Sequence, residues 1–467
     1  MTRWLYSLLI WLAQPLLLCK LRRRGVQEPG YLDAIDERFG RYLAPVPLLD
    51  RPTVWLHAVS LGETRAAAVL VAALRTQLPG MRLLLTHGTA TGRAEGARLL
   101  QAGDLQFWQP WDSVGAVQRF LSHCRPDIGI LMETEIWPNL VRACQQARVP
   151  LVLANARLSD KSLRQALRLA WLARPAYAGL AAVWAQTPAD AARLTQLGAP
   201  VRGVLGNLKF DAAPDARQLE CGQTWRAGLA KPVVLLASSR DGEELALLQH
   251  LKAFWPLALA GHALTAIDSI ANQVHWLIVP RHPQRFDSVA MLIEAQGFAV
   301  SRRSSWGVTG PASASDATLP AQTPATSALP RSVPACLPAI WLGDSLGEMA
   351  LYYALADVAL LGGSFAPLGG QNLIEAAACG CPVVMGPHTF NFAEAADQAQ
   401  ATGAALRVPD LPQAVTSACQ LAADGPALRG RRQACHQFAQ AHRGAAMRQA
   451  QAITQVLATS CTSGRTP

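Results

Sequence analysis

Residues 341–392 read WLGDSLGEMALYYALADVALLGGSFAPLGGQNLIEAAACGCPVVMGPHTFNF, and they indicate the fold more clearly than any other stretch of the chain. Residues 358–361 are a short apolar run typical of a buried strand. Two glycine pairs follow, at residues 362–363 and 369–370, where the backbone can turn sharply and approach another molecule. The pattern then predicts a helix that begins near Gln371.

The start of this predicted helix is a candidate binding site for an anion. A helix that begins just after such a loop offers unpaired backbone N–H groups and the positive end of its dipole. Glu375 lies three residues after Asn372, so both side chains can face one ligand. A phosphate at the helix start, with the carboxylate accepting from ribose hydroxyls, suits a nucleotide. The alternative is a tight strand-to-helix corner with a surface glutamate, because such loops recur in many α/β folds.

The size and charge of the chain limit the classes of protein to which it can belong. At 467 residues it is too long for one ordinary core, so two large domains with appendages are expected. A formal net charge of +10 favours an anionic partner: a phosphorylated ligand, a nucleic acid or an acidic membrane surface. The body of the chain has no arginine run interleaved with aromatic residues and no zinc-finger spacing, so a nucleic acid is not expected.

The cysteines do not indicate a metal site. Ten are scattered through the sequence, and only Cys379 and Cys381 lie close together. Their C-x-C spacing does not match a metal-ligand pattern. We therefore expect reduced, buried thiols in a protein that faces the cytosol.

The N-terminal residues 4–18, WLYSLLIWLAQPLLL, are apolar throughout, and Lys20 and three arginines at residues 22–24 follow them. The run is shorter than the roughly 20 residues that cross a bilayer as a helix. Arg3 is the only charge before it, and no small-residue cleavage site follows it, so it does not match a secretory signal. Its aromatic residues and basic flank predict a segment at the cytoplasmic face of a membrane. A tilted span and a helix docked on the protein's own core remain alternatives.

The first half of the body predicts a parallel, doubly wound sheet. Strands alternate with helices, and the predicted strands are residues 54–58, 83–86, 128–132, 151–154, 182–185 and 203–205. Ligands bind such sheets outside the carboxyl ends of the strands. Polar residues gather at those ends: Ser60, Glu63, Thr89, Thr91, Glu133, Glu135, Asn155, Arg157 and Lys209. Glu63, at a predicted helix start, is either a charge that favours the dipole or a candidate general base.

A second set of strands follows at residues 233–237, 275–279, 358–361, 382–385 and 404–407. Arg281 and His282 lie at the end of one strand between two prolines, an arrangement that favours an anion site over a charged helix start.

Segments outside this pattern have other compositions. Residues 304–338, rich in Ser, Ala, Thr and Pro, are predicted to be a disordered insertion, and residues 261–271 a smaller one. Residues 411–457 are predicted to be helical, and residues 459–467 to fray.

Eight motifs in order identify the chain as similar to a known family. They are WLHAVSLGE, METEIWPNL, NARLS, GNLKFD, VPRHPQRF, DSLGEM, GGSFAPLGGQN and MGPHTFNF. Together they resemble the transferases that add 3-deoxy-D-manno-octulosonic acid (Kdo) from CMP-Kdo to lipid A precursor in Gram-negative bacteria. The resemblance extends from the apolar N-terminus to about residue 450.

The resemblance implies a metal-independent, inverting glycosyltransferase of the GT-B class, in which two Rossmann-like domains face a cleft. It implies a membrane-associated segment at residues 1–24, an acceptor domain at 25–220, a CMP-sugar domain at 221–410 and a C-terminal helical segment and tail at 411–467. By the family's motifs Glu63 is the general base. The residues implied to bind CMP are Arg281, His282, Leu346, Gly347, Glu348, Asn372, Leu373, Ile374 and Glu375. Those implied for the acceptor or Kdo side are Ser60, Gly62, Glu133, Glu135, Arg157 and Lys209.

The sequence departs from the family pattern at two places. The family has G-G-H-N where this chain has G-G-Q-N at residues 369–372, and S-T-H-x-G-E-E where this chain has S-S-R-D-G-E-E at residues 238–244. Glutamine can replace a neutral histidine in hydrogen bonding but cannot carry its charge, so no charged role is expected at Gln371.

The mechanism implied is a single in-line displacement that requires no cofactor, with CMP-Kdo and the lipid A precursor as substrates. No Asp-x-Asp metal motif is present. The expected location is the cytoplasmic face of the bacterial inner membrane, where the basic N-terminal flank meets anionic lipids. One rival is a nucleotide-sugar epimerase of the same architecture, which would need no membrane segment. The other is a non-catalytic, membrane-tethered nucleotide-binding protein, against which the intact corner at residues 60–63 argues.

Overall fold

The computed structural model describes residues 2–43, 45–47, 50–259, 273–311 and 337–463. Its strands are β1 (Thr53–His57), β2 (Arg82–His87), β3 (Leu105–Trp108), β4 (Ile128–Met132), β5 (Leu151–Ala156), β6 (Ala182–Ala185), β7 (Val201–Val204), β8 (Val233–Ser239), β9 (His275–Pro280), β10 (Phe298–Arg302), β11 (Leu337–Leu342), β12 (Val358–Leu361), β13 (Val383–Met385) and β14 (Ala405–Arg407).

The α-helices are α1 (Thr2–Gln27), α2 (Leu61–Gln77), α3 (Ala90–Ala97), α4 (Val114–Cys124), α5 (Pro138–Gln146), α6 (Asp160–Arg168), α7 (Ala170–Ala178), α8 (Pro188–Gln196), α9 (Ala216–Ala227), α10 (Glu243–Leu259), α11 (Phe286–Ala295), α12 (Met349–Leu355), α13 (Leu373–Ala378), α14 (Ala393–Ala401), α15 (Leu411–Ala423), α16 (Gly425–Ala441) and α17 (Ala445–Ser463). Short 3-10 helices cover Pro29–Leu32, Ile35–Phe39, Leu208–Asp211, Pro283–Arg285 and Arg303–Ser305.

The chain forms two compact units, Met1–Ala212 with His442–Pro467, and Ala213–Ala441. Over the described residues, each unit contains a seven-stranded sheet, in the orders β3-β2-β1-β4-β5-β6-β7 and β10-β11-β9-β8-β12-β13-β14. Neighbouring strands pair in parallel, as in β1 with β4 and β8 with β12. The two Rossmann-like sheets confirm the predicted α/β, GT-B class. Central strands such as β1 and β4 are buried on both faces, which explains their continuous apolar runs.

Three strands are missing from the prediction: β3, β10 and β11. β3 is a short edge strand of four residues, three of them only half-buried, so its pattern is weak. β10 is also an edge strand, and it pairs with β11 across the segment predicted to be an insertion. The remaining predicted strands are present, with ends shifted by no more than two residues.

The predicted insertion at residues 304–338 is too wide at both ends. The short 3-10 helix Arg303–Ser305 covers its beginning, and β11 starts at Leu337 because it pairs with β10 and β9. Residues 312–336, and most of the smaller insertion predicted at 261–271, lie outside the described residues.

The helices after residue 411 do not form a separate C-terminal segment. α15 and α16 belong to the second unit, whereas α17 belongs to the first and packs against α2. The carboxylate of Asp211 accepts from the backbone N–H groups of Gly444 and Ala446 and so fixes the start of α17. The expected domain boundary at residue 220 also falls inside α9, which lies in the second unit.

The helix α1 is longer than the apolar run of residues 4–18. The helix continues through the basic flank to Gln27, and Trp4–Gln27 is long and apolar enough to cross a membrane by length and composition. At 26 residues it extends about 39 Å. Within the described part of the chain, the cysteines are free thiols, most of them buried, as the sequence predicts.

Candidate functional site

The end of β1 and the start of α2 hold the Glu63 carboxylate in place. Ser60 is the N-cap of α2, and its Oγ accepts a hydrogen bond from the Glu63 backbone N–H. The same hydroxyl donates to Glu63 Oε1 at 3.1 Å, and the Val59 N–H donates to Glu63 Oε2 at 2.9 Å. Both carboxylate oxygens are therefore oriented by the corner that the sequence predicts.

Electrostatics make Glu63 a candidate base near neutral pH. Burial is the main cause that raises the pKa of Glu63 to about 7, and the negative charges of Glu133 and Glu135 raise it further. The hydrogen bonds from Val59 and Ser60 oppose this shift. A carboxyl group with a pKa close to the working pH can both accept and release a proton.

Small residues keep this corner compact on one side and open on the other. A Cβ at Gly92 would lie 3.0 Å from the Val59 carbonyl oxygen, and the Thr89 hydroxyl donates to that oxygen at 2.9 Å. The second small-residue loop of the sequence thus supports the corner. A Cβ at Gly62 would meet no atom within 4 Å, so the approach to the start of α2 is open there.

The acidic motif after β4 lies at the same edge of the sheet. Glu133 has a left-handed backbone, φ 55°, and its carboxylate lies 3.6 Å from Lys209 Nζ. The Arg157 backbone N–H donates to the Glu133 carbonyl at 3.1 Å. Burial raises the pKa of Glu135. The left-handed backbone of Glu133 is costly for a residue other than glycine and is typical of functional sites.

The structure therefore brings together the first unit's predicted residues: Ser60, Gly62, Glu63, Glu133, Glu135, Arg157 and Lys209.

In the second unit, the glycine-rich loop packs directly on the end of β8. A Cβ at Gly362 would lie 2.4 Å from the Ser238 carbonyl oxygen, so only glycine fits. The Gly363 N–H donates to both carboxylate oxygens of Glu243 at 2.8 Å. The Gly370 N–H then donates to the Gly363 carbonyl at 2.8 Å and closes the loop. Gly362 is therefore required by a backbone contact within the protein, whereas Gly363 and Gly370 are favoured by their positive φ of 71° and 72°.

The helix after this loop differs from the prediction. α13 begins at Leu373 rather than near Gln371, and Asn372 is its N-cap, with Oδ1 accepting from the Ile374 N–H at 3.1 Å. It is six residues long and is followed by Gly380, whose φ is 73°. Its dipole is correspondingly small. The side chains of Leu373 and Ile374 are buried, so only their backbone is available to a ligand.

Cations lie beside this loop. Arg281 Nε donates to Gln371 Oε1 at 3.1 Å, which gives the glutamine a specific neutral role as acceptor. His282 Nε2 lies 3.5 Å from Arg240 Nη1. Burial and the neighbouring arginines 240, 281 and 285 lower the pKa of His282, which favours its neutral form beside these cations. The charges of Glu375 and Arg281 both act on the pKa of the buried Tyr353, so both lie near that side chain.

In the loop at residues 345–348, Glu348 and Gly347 make contacts within the protein, whereas Leu346 is exposed. Glu348 accepts from Arg303 Nη2 at 3.0 Å and from the Ser345 hydroxyl, so its carboxylate holds the loop. The Gly347 carbonyl accepts from Gln218 Nε2 at 2.9 Å. The Leu346 side chain is 70% exposed and is available to a ligand.

Comparison with known proteins identifies the family. The family model described as 3-Deoxy-D-manno-octulosonic-acid transferase (kdotransferase) matches residues 33–212. A 3-deoxy-D-manno-octulosonic acid transferase of Bordetella pertussis is 44% identical over 459 residues, 97% of this chain and 99% of the relative. This chain belongs to the Kdo transferase family.

Solved structures agree with the fold of this Kdo transferase. A glycosyltransferase of Rickettsia africae matches with a TM-score of 0.52 at 11% identity, over 88% of this chain and 99% of its own. A UDP-GlcNAc 2-epimerase of Neisseria meningitidis, 12% identical, matches with a TM-score of 0.50 over 87% of this chain and 100% of its own. At such identities the likeness shows the fold alone. Since a transferase and an epimerase share it, the sequence relatives determine the family.

Three supporting groups of the Kdo transferase were missed by sequence reasoning. Glu243 holds Gly363, and Glu244, which is fully buried, accepts from Arg285. Asn391 Nδ2 donates to the Leu368 carbonyl at 3.0 Å and so supports the glycine-rich loop. All three lie inside the quoted motifs or next to them, but the motifs do not indicate what each side chain contacts.

Proposed function

We propose that this Kdo transferase moves Kdo from CMP-Kdo to a sugar hydroxyl of lipid A precursor by a single inverting displacement. The observation that carries the proposal is the Glu63 carboxylate, held by Val59 and Ser60 with a pKa near 7. Family membership supports the transferred sugar. The donor CMP-Kdo and the lipid acceptor are carried over from the motif resemblance.

In the proposed step, every bond that forms or breaks belongs to the two substrates or to Glu63. Glu63 removes the proton of the acceptor hydroxyl, whose oxygen then bonds to the anomeric carbon of Kdo. The bond from that carbon to the CMP phosphate breaks, and CMP leaves with the electron pair. A phosphate leaving group needs its negative charge stabilised rather than a proton. We assign that role to Arg281 and Arg240, beside the glycine-rich loop, and propose that the reaction needs no metal or other cofactor.

One incubation tests this function. Radiolabelled CMP-Kdo is mixed with tetraacyl lipid A precursor and the full chain in the presence of a chelator. Label on the lipid, together with released CMP, supports the proposal. Free sugar alone would favour an epimerase-like hydrolysis, and no release of CMP would favour a non-catalytic binding protein. Either of those results would overturn the proposal.

The pH dependence of kcat/KM should follow the Glu63 carboxyl group. Because the base form is required, kcat/KM is expected to fall about tenfold per unit as pH drops below about 7. The charge of Glu133 raises this pKa, so Glu133→Gln should move the acid limb to lower pH. The measurement is a pH–rate profile of both proteins. A limb that stays in place, or moves to higher pH, would contradict the assignment of Glu63.

Gln371 should be required as a neutral acceptor in the CMP site. Gln371→Glu keeps the shape and the bond from Arg281 but adds a negative charge beside the proposed phosphate position. We expect CMP to bind about tenfold more weakly, the effect of roughly 1.4 kcal/mol. Titration calorimetry with CMP measures it, with Glu220→Gln, an exposed change in the same unit, as the control. An unchanged affinity for CMP would mean that its phosphate does not bind beside Gln371.

We place the protein at the cytoplasmic face of the bacterial inner membrane. The apolar α1 and the basic residues 20–24 support this location, since anionic lipids attract such a flank. The proposed acceptor is itself a phosphorylated lipid, so the membrane would present it to the first unit.

A further inference from the structure

The first turns of α1 are attached to the body of the first unit by polar contacts. The Tyr6 hydroxyl donates to Asp112 Oδ2 at 2.9 Å, and the Ser7 hydroxyl donates to Asn139 Oδ1 at 3.1 Å. Asp112 is buried and also accepts from the backbone N–H groups of Asn139 and Leu140, at 3.0 and 2.8 Å. Moving α1 away would remove one of the partners of a buried carboxylate, which is costly.

The far end of α1 is attached as well. Leu21 is buried, and the Arg24 guanidinium lies 5.9 Å from the centre of the Tyr31 ring. A Cβ at Gly25 would lie 2.4 Å from the Leu32 side chain, so the helix ends against the 3-10 helix that follows it. Since contacts exist near both ends of a helix about 39 Å long, α1 lies along the unit and does not project from it.

The two sides of α1 differ in their contacts. Most of the buried and half-buried positions recur at helical spacing; all of them are residues 6, 7, 8, 10, 13, 14, 17, 18, 21 and 25. The other side presents large apolar side chains to solvent: Trp4, Leu5, Leu9, Trp11, Leu12 and Leu16. Trp4, Trp11 and Leu16 are each more than 60% exposed, which is unusual for a contiguous apolar surface in contact with water.

A second exposed surface adjoins α1. α7 packs beside α1, and the region where α6 meets α7 exposes Leu167, Leu169 and Trp171. Cations surround these side chains. We call this surface the α6–α7 patch; its members are Lys161, Arg164, Leu167, Arg168, Leu169, Trp171 and Arg174. The acid nearest in sequence, Asp160, pairs with Arg193 at 3.3 Å. Exposed leucine and tryptophan among arginines complement an anionic lipid surface.

We propose that α1 lies in the plane of the membrane surface without crossing the bilayer, and that the α6–α7 patch is a second contact with anionic lipid. The first unit would then meet the membrane through one continuous apolar and basic surface. This inference takes its membrane location from the proposed function. Its tests use no donor and no acceptor, so their failure is separate from a failure of the transferase assignment.

Labelling of the N-terminus distinguishes an in-plane helix from a span. In a Cys19→Ser background, Thr2→Cys is treated with a membrane-impermeant maleimide in intact spheroplasts and in inverted membrane vesicles. An in-plane helix predicts labelling only in inverted vesicles, because both of its ends are cytoplasmic. Labelling in intact spheroplasts would show that α1 crosses the bilayer and would overturn the proposal.

Vesicle binding tests the α6–α7 patch. The full chain is floated with vesicles of phosphatidylethanolamine and phosphatidylglycerol, or of phosphatidylcholine alone. Arg164→Gln/Arg168→Gln is expected to lose on the order of tenfold in binding to the anionic vesicles, and little with phosphatidylcholine. Leu169→Ser/Trp171→Ser should weaken binding to both. The controls are Arg429→Gln and Met291→Ser, exposed positions of the second unit.

Two results would overturn the proposal that the α6–α7 patch contacts anionic lipid. One is equal binding of the patch variants and their controls. The other is a stable dimer of the full chain with no vesicle binding, which would assign the apolar surface to a second copy.

Discussion

Glu63→Gln is expected to lower the kcat of Kdo transfer by about a thousandfold, because the acceptor hydroxyl loses the general base that we propose for it. The amide keeps the size of the side chain, and its oxygen can still accept from the Val59 N–H. Its NH₂ group cannot remove a proton. The KM for CMP-Kdo should change little, since donor contacts are assigned to the second unit. Steady-state transfer assays with the full chain measure both constants.

The matched control for this change is Glu95→Gln. Glu95 lies in the same unit but pairs with the exposed side chains of Arg65 and Arg98, so its loss should leave kcat near that of the parent. Circular dichroism and thermal unfolding check that Glu63→Gln is folded. Near-normal turnover in a folded Glu63→Gln protein would remove Glu63 from the mechanism.

Arg285→Leu is expected to destabilise the second unit by about 3 kcal/mol, because it leaves a buried carboxylate without its cation. Glu244 is fully buried, and its two carboxylate oxygens accept from Arg285 at 2.8 and 3.0 Å. Its Oε1 also accepts from the Ser239 hydroxyl at 2.6 Å, at the end of β8. Urea unfolding, followed by tryptophan fluorescence, measures the loss.

A double variant separates lost charge pairing from lost packing. In Glu244→Gln/Arg285→Leu the buried charge is gone, while the glutamine can still accept from Ser239. Part of the lost stability should therefore return, which a double-mutant cycle quantifies. If the double variant is as unstable as the sum of the two single changes, the cost lies in packing and the ion pair is not the cause.

Local patterns predict the central strands well because both faces of these strands are buried. β4, β6 and β12 begin and end where their apolar runs do. The edge strands β3 and β10 are half-covered, so their sequences carry less of this pattern. The end of α13 is set by Gly380, whose positive φ of 73° stops the helix directly after its three alanines.

Only part of the candidate site could be predicted, again because local sequence patterns indicate some positions and not others. Residues that follow predicted strands, such as Glu63 and Glu133, could be placed at one edge because carboxyl ends of parallel strands meet there. Contacts between distant parts of the chain could not be predicted from the sequence. The bond from Gly363 to Glu243 joins positions 120 residues apart, and no local pattern encodes it. The resemblance to the family located these motifs, and the structure shows which atoms they bring into contact.

The return of α17 to the first unit has a consequence for synthesis of the chain. Ala446, Ala450 and Ile453 complete the hydrophobic core on which α2 packs, the helix that begins beside Glu63. A ribosome makes these residues more than 350 positions after α2. The second unit is therefore fully translated first, while the nascent first unit still lacks part of its core. A chain that stops after α16 should bury less of α2 and be a substrate for proteases, so only nearly finished chains can acquire a correctly supported corner at Glu63.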